Sequence, residues 1–313
     1  MRLDPQLASV LAELQAPGAK GFEDMTPAEA REAVMSLRAY QATPPAMAAV
    51  REEVLSARGD VHLRIYRPVD VSQRAPVVLF FHGGGWTVGN IDFADWPVRG
   101  LSAASRAIWV SASYRLAPEH PYPAALEDVW AALEWVAERA SSLGGDPARL
   151  VVVGESSGAN LAAALALLAR DRKGPRLAHQ YLLFPPLGLD LDTASYQRYG
   201  EGFLLTRSAM RWFWTNYLGD DLDGAPELAV PLRASHLAGV APATIVVAQC
   251  DPLRDDGVAY HRRLEEAQVP VSLIEWDGLT HGAFQMTGAV DRARDLMHVL
   301  GKRIGAIPPS VEA

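Results

Sequence analysis

Apolar and polar residues follow two different periods along the chain, which predict strands that alternate with helices. The continuous apolar run at 76–81 is typical of a strand buried on both faces of a parallel sheet, and 107–112 and 150–153 are also predicted to be strands. An alternating stretch at 54–66, centred on Arg58-Gly59-Asp60, predicts an antiparallel hairpin. Further strands are predicted at 180–184, 243–248 and 271–276, and helices at 124–139, 159–170, 257–267 and 289–304. We therefore predict an α/β fold with a mostly parallel, doubly wound central sheet flanked by helices.

The N-terminal part of the chain precedes this alternation. Residues 6–14 have a helical pattern, and Thr26-Pro27-Ala28-Glu29 matches a capping box with proline at the first helical position. We assign residues 1–48 to an N-terminal helical cap segment and residues 49–313 to the catalytic domain. The pattern fits a lid over the site and a solvated helical arm equally well.

A second interval, between Phe184 and Ala243, interrupts the alternation. It contains loop signals and no convincing strand, and an insertion of this length after a strand end is typical of a lid. We predict a cap insertion at about 187–240. Its large apolar residues are expected to form the core of the cap, with one or two facing the pocket: Phe203, Met210, Trp212, Phe213, Trp214 and Tyr217.

Composition and charge exclude several classes of protein. The 313 residues carry a net charge of −8 without a basic cluster, which argues against binding to nucleic acid or to anionic membranes. Hydrophobic residues make up 49% of the chain, enough for a large core. Cys250 is the single cysteine, so an intrachain disulfide framework is excluded and a reducing compartment is expected.

We also expect no targeting signal. Asp4 and Pro5 stand where a signal peptide would begin its apolar stretch. The longest aliphatic run, 161–169, is far shorter than the roughly 20 residues of a membrane span. We therefore expect a cytoplasmic protein without stable membrane association.

The most informative motif lies between a predicted strand and a predicted helix. Gly154-Glu155-Ser156-Ser157-Gly158 fits G-x-S-x-G, a sharp turn that exposes a serine hydroxyl at the end of the sheet. The glycines allow strand and helix to approach closely, and the helix N-terminus favours negative charge that develops beside the serine. The motif alone also fits a plain glycine-serine turn, but its strand–turn–helix context predicts that Ser156 is a nucleophile.

A nucleophilic serine requires a base and an acid, which follow it in the order acid then histidine in this arrangement. His281 is the only histidine between the last predicted strand and the final helix, so it is the candidate base. Asp251 follows the strand at 243–248 and is the candidate acid. The alternatives for the acid are Asp255 and Asp256, which follow it closely, and Asp277, which belongs to the loop of the histidine itself.

A glycine-rich loop supplies the second half of the predicted site. Gly83, Gly84 and Gly85 follow a buried strand and expose main-chain N–H groups, which together with Ser157 would form an oxyanion hole. A phosphate-binding loop is excluded because no Gly-Lys-Ser/Thr follows. Cys250 lacks a thiol-nucleophile signature and is interpreted as a small buried apolar residue. No cluster of side chains has metal-ligand spacing, so neither a metal nor a cofactor is predicted.

Taken together, these motifs resemble the bacterial hormone-sensitive lipase family of esterases, in the α/β-hydrolase superfamily. The resemblance spans nearly the whole chain and rests on His82-Gly83-Gly84-Gly85-Trp86, Tyr114 to Ala125, Gly154 to Gly158, Asp251-Pro252-Leu253-Arg254-Asp255 and His281-Gly282. It implies an α/β-hydrolase fold with a helical cap. It also implies Ser156 as nucleophile, His281 as base and Asp251 as acid.

For the oxyanion hole, the resemblance favours Gly84, Gly85 and Ser157 as donors, with His82 supporting the loop. Ser157 stands where the family often has alanine, which leaves its N–H in place. Glu155 is expected to anchor the loop and to take no part in the chemistry. Dimers are common among similar proteins, so a homodimer is expected.

The motifs together predict a serine carboxylesterase that hydrolyses esters of short- to medium-chain acids through an acyl-enzyme, without a cofactor. An amide hydrolase or an acyltransferase would use the same three residues, so both remain alternatives. A non-catalytic small-molecule receptor, a role known among plant relatives, would be expected to have lost the triad. All three residues are present here, which disfavours that reading.

Overall fold

The protein, described by a computed structural model at residues 3–16, 18–56 and 60–308, contains one eight-stranded sheet. Its strands are β1 (Met47–Ser56), β2 (Asp60–Pro68), β3 (Ala75–Phe81), β4 (Ile108–Ala112), β5 (Gly145–Glu155), β6 (His179–Leu183), β7 (Ala243–Ala248) and β8 (Val271–Trp276). They lie side by side in the order β1-β2-β4-β3-β5-β6-β7-β8. The six strands β4, β3, β5, β6, β7 and β8 are parallel to one another. At one edge, β2 pairs antiparallel with β4 and β1 pairs antiparallel with β2. The predicted sheet is therefore confirmed.

The described residues also form nine α-helices. These are α1 (Pro5–Leu14), α2 (Pro27–Ser36), α3 (Ile91–Ser105), α4 (Ala124–Arg139), α5 (Ser157–Asp171), α6 (Ala194–Tyr199), α7 (Arg207–Leu218), α8 (Arg254–Glu266) and α9 (Asp291–Gly305). Short 3₁₀ helices occur at Phe22–Asp24, Leu37–Tyr40, Pro231–Arg233 and Ala283–Gln285. Each helix with a stated range in the sequence analysis is present, with ends shifted by at most three residues.

The local signals at two predicted elements are borne out. Thr26 accepts from the main-chain N–H of Glu29, and the Glu29 carboxylate accepts from Thr26 in return, so the capping box is complete. Strands β1 and β2 form the predicted antiparallel hairpin. Its predicted turn at Arg58-Gly59 lies outside the described residues.

Helix α3 was not predicted, because its sequence contains residues that normally interrupt helices. Pro97 lies inside the helix and cannot donate a main-chain hydrogen bond, and Gly100 follows it. The helix nevertheless forms because the Asn90 side chain accepts from the N–H of Phe93 at the N-terminus. Its apolar face, which includes Val98 and Leu101, is fully buried. Tertiary burial therefore outweighs the unfavourable local sequence.

Two buried layers enclose the sheet, one on each face. Residues of β3 alternate between them, since Val77 and Leu79 belong to one layer and Val78 and Phe80 to the other. Strand β5 alternates in the same way. Both faces of the central strands are thus covered, and the carboxyl ends of the strands form the edge at which the loops meet.

The N-terminal segment divides into two parts with different surroundings. Helix α1 buries Leu7 and Leu11 in the same layer as the final helix α9, and the N–H of Asp4 donates to the carbonyl of Gly278. The following part, from Phe22 to Leu37, contributes to the wall of a pocket at the carboxyl edge of the sheet. Of the two interpretations left open for the segment, a lid and a solvated arm, neither describes α1, which packs beside α9, whereas residues 22–37 lie at the pocket.

Candidate active site

Ser156 occupies the turn between β5 and α5. Its backbone has φ 53° and ψ −123°, a conformation that non-glycine residues rarely adopt. A Cβ at Gly154 would collide with the carbonyl of Gly158, and a Cβ at Gly158 would collide with the carbonyl of Phe81. Both glycines are therefore required for the close approach of strand and helix. The strained turn projects the serine into the pocket.

The structure brings Ser156, His281 and Asp251 into one hydrogen-bonded row. The Ser156 hydroxyl lies 2.9 Å from Nε2 of His281, and Nδ1 of His281 lies 2.9 Å from the Asp251 carboxylate. All three are buried, with Asp251 1% exposed. The second Asp251 oxygen accepts from the N–H of Leu253, which fixes the orientation of the carboxylate.

The other three aspartates have different partners. Asp255 accepts from the N–H of Ser195, and Asp256 accepts from the N–H groups of Leu187 and Gly188. Asp277 is exposed and accepts from the amide of Gln249. Of the four candidate acids, Asp251 is therefore the one that contacts His281.

Two opposing effects act on the His281 imidazole. Burial alone would lower the pKa of His281, but the Asp251 carboxylate, through its charge and its hydrogen bond, raises it above the ordinary 6.5. The charge of Glu155 acts in the same direction. The imidazole is thus built to accept a proton more readily than a free histidine would.

The glycine loop after β3 faces Ser156. Gly84 and Gly85 have positive φ values of 128° and 54°, which a side chain would make unfavourable. Within the described residues, the N–H groups of Gly84, Gly85 and Ser157 donate to no protein acceptor, whereas the N–H of Gly83 faces the Glu155 carboxylate. Three of the four predicted donors therefore have no acceptor among the described residues.

His82 supports this loop and lies behind it. Its Nδ1 is 2.8 Å from the carbonyl of Gly83, and its ring stacks on Tyr114 at 4.3 Å. The Tyr114 hydroxyl donates to the carbonyl of His82. Burial lowers the pKa of His82 to about 4, so the ring is neutral at pH 7 and Nδ1 can donate.

A small apolar pocket opens beside Ser156. It has a volume of about 80 Å³. The glycine loop, Ser156 and His281 form one side of it, and residues of the N-terminal segment and of the insertion form the other. The lining residues from these two segments are Phe22, Val34, Leu37, Leu204, Leu205, Met210 and Phe213.

The aromatic residues of the insertion differ in part from the prediction. Met210 and Phe213 face the pocket, as expected for one or two residues. Tyr217 and Trp214, however, do not form a separate cap core. The ring of Trp86, which ends the glycine loop, stacks on Tyr217 at 4.4 Å and contacts Trp214 at 4.3 Å. The insertion is thus packed directly on the loop that carries the free N–H groups.

Sequence reasoning did not identify several buried polar residues around the site. The Asn160 amide donates to the carbonyls of Pro186 and Ala229, and so ties helix α5 to the insertion. Gln285 and Gln41 form a buried link to Glu155. Gln285 and Gln41 belong to no recognisable motif, so no local signal marks them.

The single cysteine, a metal site and a membrane span were also considered in the sequence. Cys250 is buried and its main-chain N–H donates to the carbonyl of Leu279, while burial raises the pKa of its thiol. Across the described ranges, no three or more His, Cys, Asp or Glu side chains are grouped so that they could hold a metal ion. None of the helices in those ranges combines the length and apolarity needed to cross a membrane.

Comparison with known proteins adds a family relationship. Residues 78–285 match the profile of a family described as alpha/beta hydrolase fold. The chain is 39% identical to carboxylesterase NlhH of Mycobacterium tuberculosis over 257 residues, which covers 81% of this chain and 80% of NlhH. It is 34% identical to an ethyl acetate hydrolase of Pseudomonas putida over 308 residues, with 94% and 95% covered.

Solved structures agree with this relationship. A thermostable esterase from Pseudomonas putida ECU1011 superposes with a TM-score of 0.93 at 34% identity, over 99% of both chains. A hyperthermophilic esterase from Pyrobaculum calidifontis superposes with a TM-score of 0.92 at 32% identity, over 98% of this chain and 99% of that one. The chain therefore belongs to the α/β-hydrolase family, in its branch similar to hormone-sensitive lipase.

Proposed function

We propose that this protein is a serine carboxylesterase that cleaves esters of short- to medium-chain acids through an acyl-enzyme. The observation that carries the proposal is the row Ser156–His281–Asp251, with both heavy-atom distances at 2.9 Å, next to three free main-chain N–H groups. Two relatives named carboxylesterase and ethyl acetate hydrolase support the same reaction.

In the acylation step, the Ser156 hydroxyl attacks the ester carbonyl and gives its proton to Nε2 of His281. The negative oxygen that forms is stabilised by the N–H groups of Gly84, Gly85 and Ser157. The Asp251 carboxylate holds the imidazole in the tautomer with a proton on Nδ1 and stabilises its charged form. The carbonyl–alkoxy bond then breaks, and His281 protonates the leaving alcohol.

In the deacylation step, water takes the place of the alcohol and His281 removes its proton. The hydroxide attacks the acyl carbonyl, the bond to the Ser156 oxygen breaks, and the carboxylic acid leaves. An amide hydrolase or an acyltransferase would share the first step and differ in the leaving group or in the acceptor. The ester reaction is preferred because the named relatives are esterases.

The size of the pocket supports a preference for small acyl groups. Its 80 Å³ is about half the volume of an engineered cavity in another protein that binds benzene, roughly 150 Å³. Cap residues such as Val34 and Phe213 close it on one side, so a long chain meets side chains instead of solvent. We extend the proposal to the cap: the part from Phe22 to Leu37 and the insertion at about 187–240 together limit acyl length.

The test combines a substrate series with active-site labelling. p-Nitrophenyl acetate, butyrate, octanoate and palmitate are offered to the purified protein, and a fluorophosphonate is used to label it. We expect the highest kcat/KM with acetate or butyrate and a single phosphonyl adduct on Ser156. The Ser156→Ala variant should lose activity by about 10⁵-fold or more. An adduct on another residue, or activity retained by Ser156→Ala, would contradict the proposal.

The cytoplasmic location and the homodimer stay predictions. Size-exclusion chromatography with light scattering at several protein concentrations measures the mass in solution. A mass twice the 33.9 kDa of the chain is expected. Fractionation of the producing cells, with activity on p-nitrophenyl butyrate as the marker, tests the location.

A further inference from the structure

A buried polar chain runs from the N-terminal segment to the residue before the nucleophile. The Gln41 amide donates to the side-chain oxygen of Gln285 at 2.9 Å, and the Gln285 amide donates to the Glu155 carboxylate at 3.3 Å. Gln41 also donates to the carbonyl of Phe93 at 2.9 Å. The three side chains are only 3–6% exposed, so these hydrogen bonds are made away from water.

The Glu155 carboxylate in turn faces the first residue of the glycine loop. The N–H of Gly83 faces it, and a Cβ at Gly83 would collide with its Oε2 atom. Glu155 also lines the pocket together with Ser156 and His281. A carboxylate in this place restrains the first residue of the glycine loop and leaves the N–H groups of the next two glycines free.

The other end of the chain is anchored where the N-terminal segment meets the histidine loop. The N–H of Gly288 donates to the carbonyl of Tyr40, and the N–H of Ala42 donates to the hydroxyl of Thr287. These bonds fix the 3₁₀ helix Ala283–Gln285, which begins two residues after His281. The segment that carries Gln41 therefore also supports the loop of the base.

We infer that Glu155, held by Gln285 and Gln41, is a positioning residue that restrains the glycine loop and places a negative charge beside His281. The inference rests on the proposed function, because its kinetic consequence concerns ester hydrolysis by Ser156. It assigns Glu155 an electrostatic effect in addition to loop anchoring. It also makes the N-terminal segment part of the support of the site, in addition to its place in the pocket wall.

The negative charge of Glu155 shifts the pKa of His281 in a predictable direction. The carboxylates that act on His281 are Asp251, from the loop after β7, and Glu155, from the end of β5. Burial raises the pKa of Glu155, whereas the charge of His281 and the hydrogen bonds from Gln285 and Gly83 favour its ionised form. Both carboxylates favour the protonated imidazole, which forms when Ser156 gives up its proton. Removal of the Glu155 charge should therefore lower the pKa of His281. A role confined to packing would leave this pKa unchanged.

The first experiment measures that pKa without any need for turnover. Histidine-labelled wild type and Glu155→Gln are titrated by NMR, with Ser156→Ala used to assign the His281 signals. We expect the His281 pKa to fall by a few tenths to about one unit in Glu155→Gln. An unchanged pKa in a folded variant overturns the electrostatic part. Wild type without esterase activity would overturn the proposed function while leaving this titration interpretable.

The second experiment tests the hydrogen-bonded chain by exchanging two partners. In Glu155→Gln the amide oxygen at position 155 can still accept from Gln285, but it is a weaker acceptor than a carboxylate and the negative charge is lost, so kcat should fall about 10- to 100-fold with a smaller change in KM. In the double variant Glu155→Gln/Gln285→Glu the amide at position 155 can donate to the carboxylate at position 285, which also accepts from Gln41, so the negative charge and both hydrogen bonds of the chain are present again. We expect kcat to recover at least several-fold. A folded double variant without recovery overturns the positioning role.

Gln41→Ala tests the remote end of the chain and does not alter the charge. We expect kcat to fall about 3- to 10-fold, with the His281 pKa unchanged. Gln180→Ala is the matched control. Gln180, in strand β6, is also a buried glutamine, and it donates to the carbonyl of Ala241 and does not belong to the chain of Gln41, Gln285 and Glu155. Equal losses of kcat in the two variants would show that any buried glutamine has this effect, and would overturn the role of Gln41.

Discussion

Arg31 of helix α2 and Glu119 form a two-point ion pair across 88 positions of sequence. The guanidinium nitrogens lie 2.8 and 2.6 Å from the two carboxylate oxygens. The same guanidinium donates to the carbonyls of Thr87 and Ala117. One side chain thus joins the pocket-lining part of the N-terminal segment to the end of the glycine loop at Thr87 and to the loop that contains Ala117 and Glu119.

We predict that Arg31→Ala loosens this part of the segment. The ion pair is half exposed and contributes little by itself, but the two carbonyls lose a charged donor. The free energy of unfolding should fall by about 1–2 kcal/mol in urea titrations, and the preference for acetate over octanoate should weaken. Lys20→Ala, which removes an exposed pair with Glu29, should change stability by less than about 0.5 kcal/mol. Equal effects of the two substitutions would contradict the prediction.

A second prediction concerns the choice of acid. Asp251→Asn should lower kcat by about 10⁴-fold, because an amide cannot hold His281 in the required tautomer. Asp277→Asn is the matched control, since Asp277 is exposed and contacts Gln249. It should keep nearly all activity with p-nitrophenyl acetate. Strong loss in the Asp277 variant together with weak loss in the Asp251 variant would reverse the assignment.

The pH dependence follows from the environment of His281. Since the imidazole must be neutral to accept the Ser156 proton and its pKa is raised above 6.5, kcat/KM should rise with pH and reach half of its maximum above 6.5. The profile is measured with p-nitrophenyl acetate from about pH 5 to 9. A midpoint below 6.5 in a protein that stays folded would show that burial outweighs the Asp251 carboxylate.

Pocket size should respond to Phe213. This ring lines the pocket and contacts Phe22 at 5.4 Å. Phe213→Ala should increase kcat/KM for octanoate relative to acetate by about 10-fold, at a cost of about 3 kcal/mol in stability. Trp212→Ala, at a neighbouring position that does not line the pocket, should leave the ratio unchanged. If Phe213→Ala leaves the ratio of kcat/KM for octanoate to kcat/KM for acetate unchanged, the prediction that the cap limits acyl length is contradicted.

Acid should destabilise the fold through His82. Its pKa is about 4 in the folded protein and about 6.5 in the unfolded chain, so the unfolded chain binds the extra proton between these values. Stability is therefore lost as pH falls through this window, by about 2 kcal/mol between pH 7.5 and 5. His82→Asn should show a shallower decrease in urea titrations. Asp256, with a pKa raised to about 7 by burial, acts in the opposite direction in both proteins and cancels in the comparison.

The features of the fold and site that could be predicted from the sequence are those marked by a local sequence pattern. The sheet followed from continuous apolar runs such as 150–153, and helix α2 from its capping box. Ser156, Asp251 and His281 were candidates because each follows a strand end, and parallel strands bring their carboxyl ends to one edge. The roles of these residues stay predictions until they are tested as above.

The remaining features depend on contacts that no local pattern encodes. Helix α3 contains Pro97 and is stabilised by burial, which the sequence around it does not reveal. Gln41 and Gln285 meet although they are 244 positions apart. The division of the N-terminal segment into helix α1, packed on α9 through one apolar face, and a pocket wall likewise arises from tertiary packing, because both parts show similar helical patterns.

The stacking of Trp86 on Tyr217 limits how this enzyme can be recombined with its relatives. The insertion resembles an exchangeable module, but its helix α7 rests on the residue that ends the glycine loop. A chimaera that receives a foreign insertion without an aromatic ring at the position of Tyr217 would leave the fully buried indole of Trp86 without its partner. Cap grafting therefore has to transfer position 86 and the facing helix as one unit.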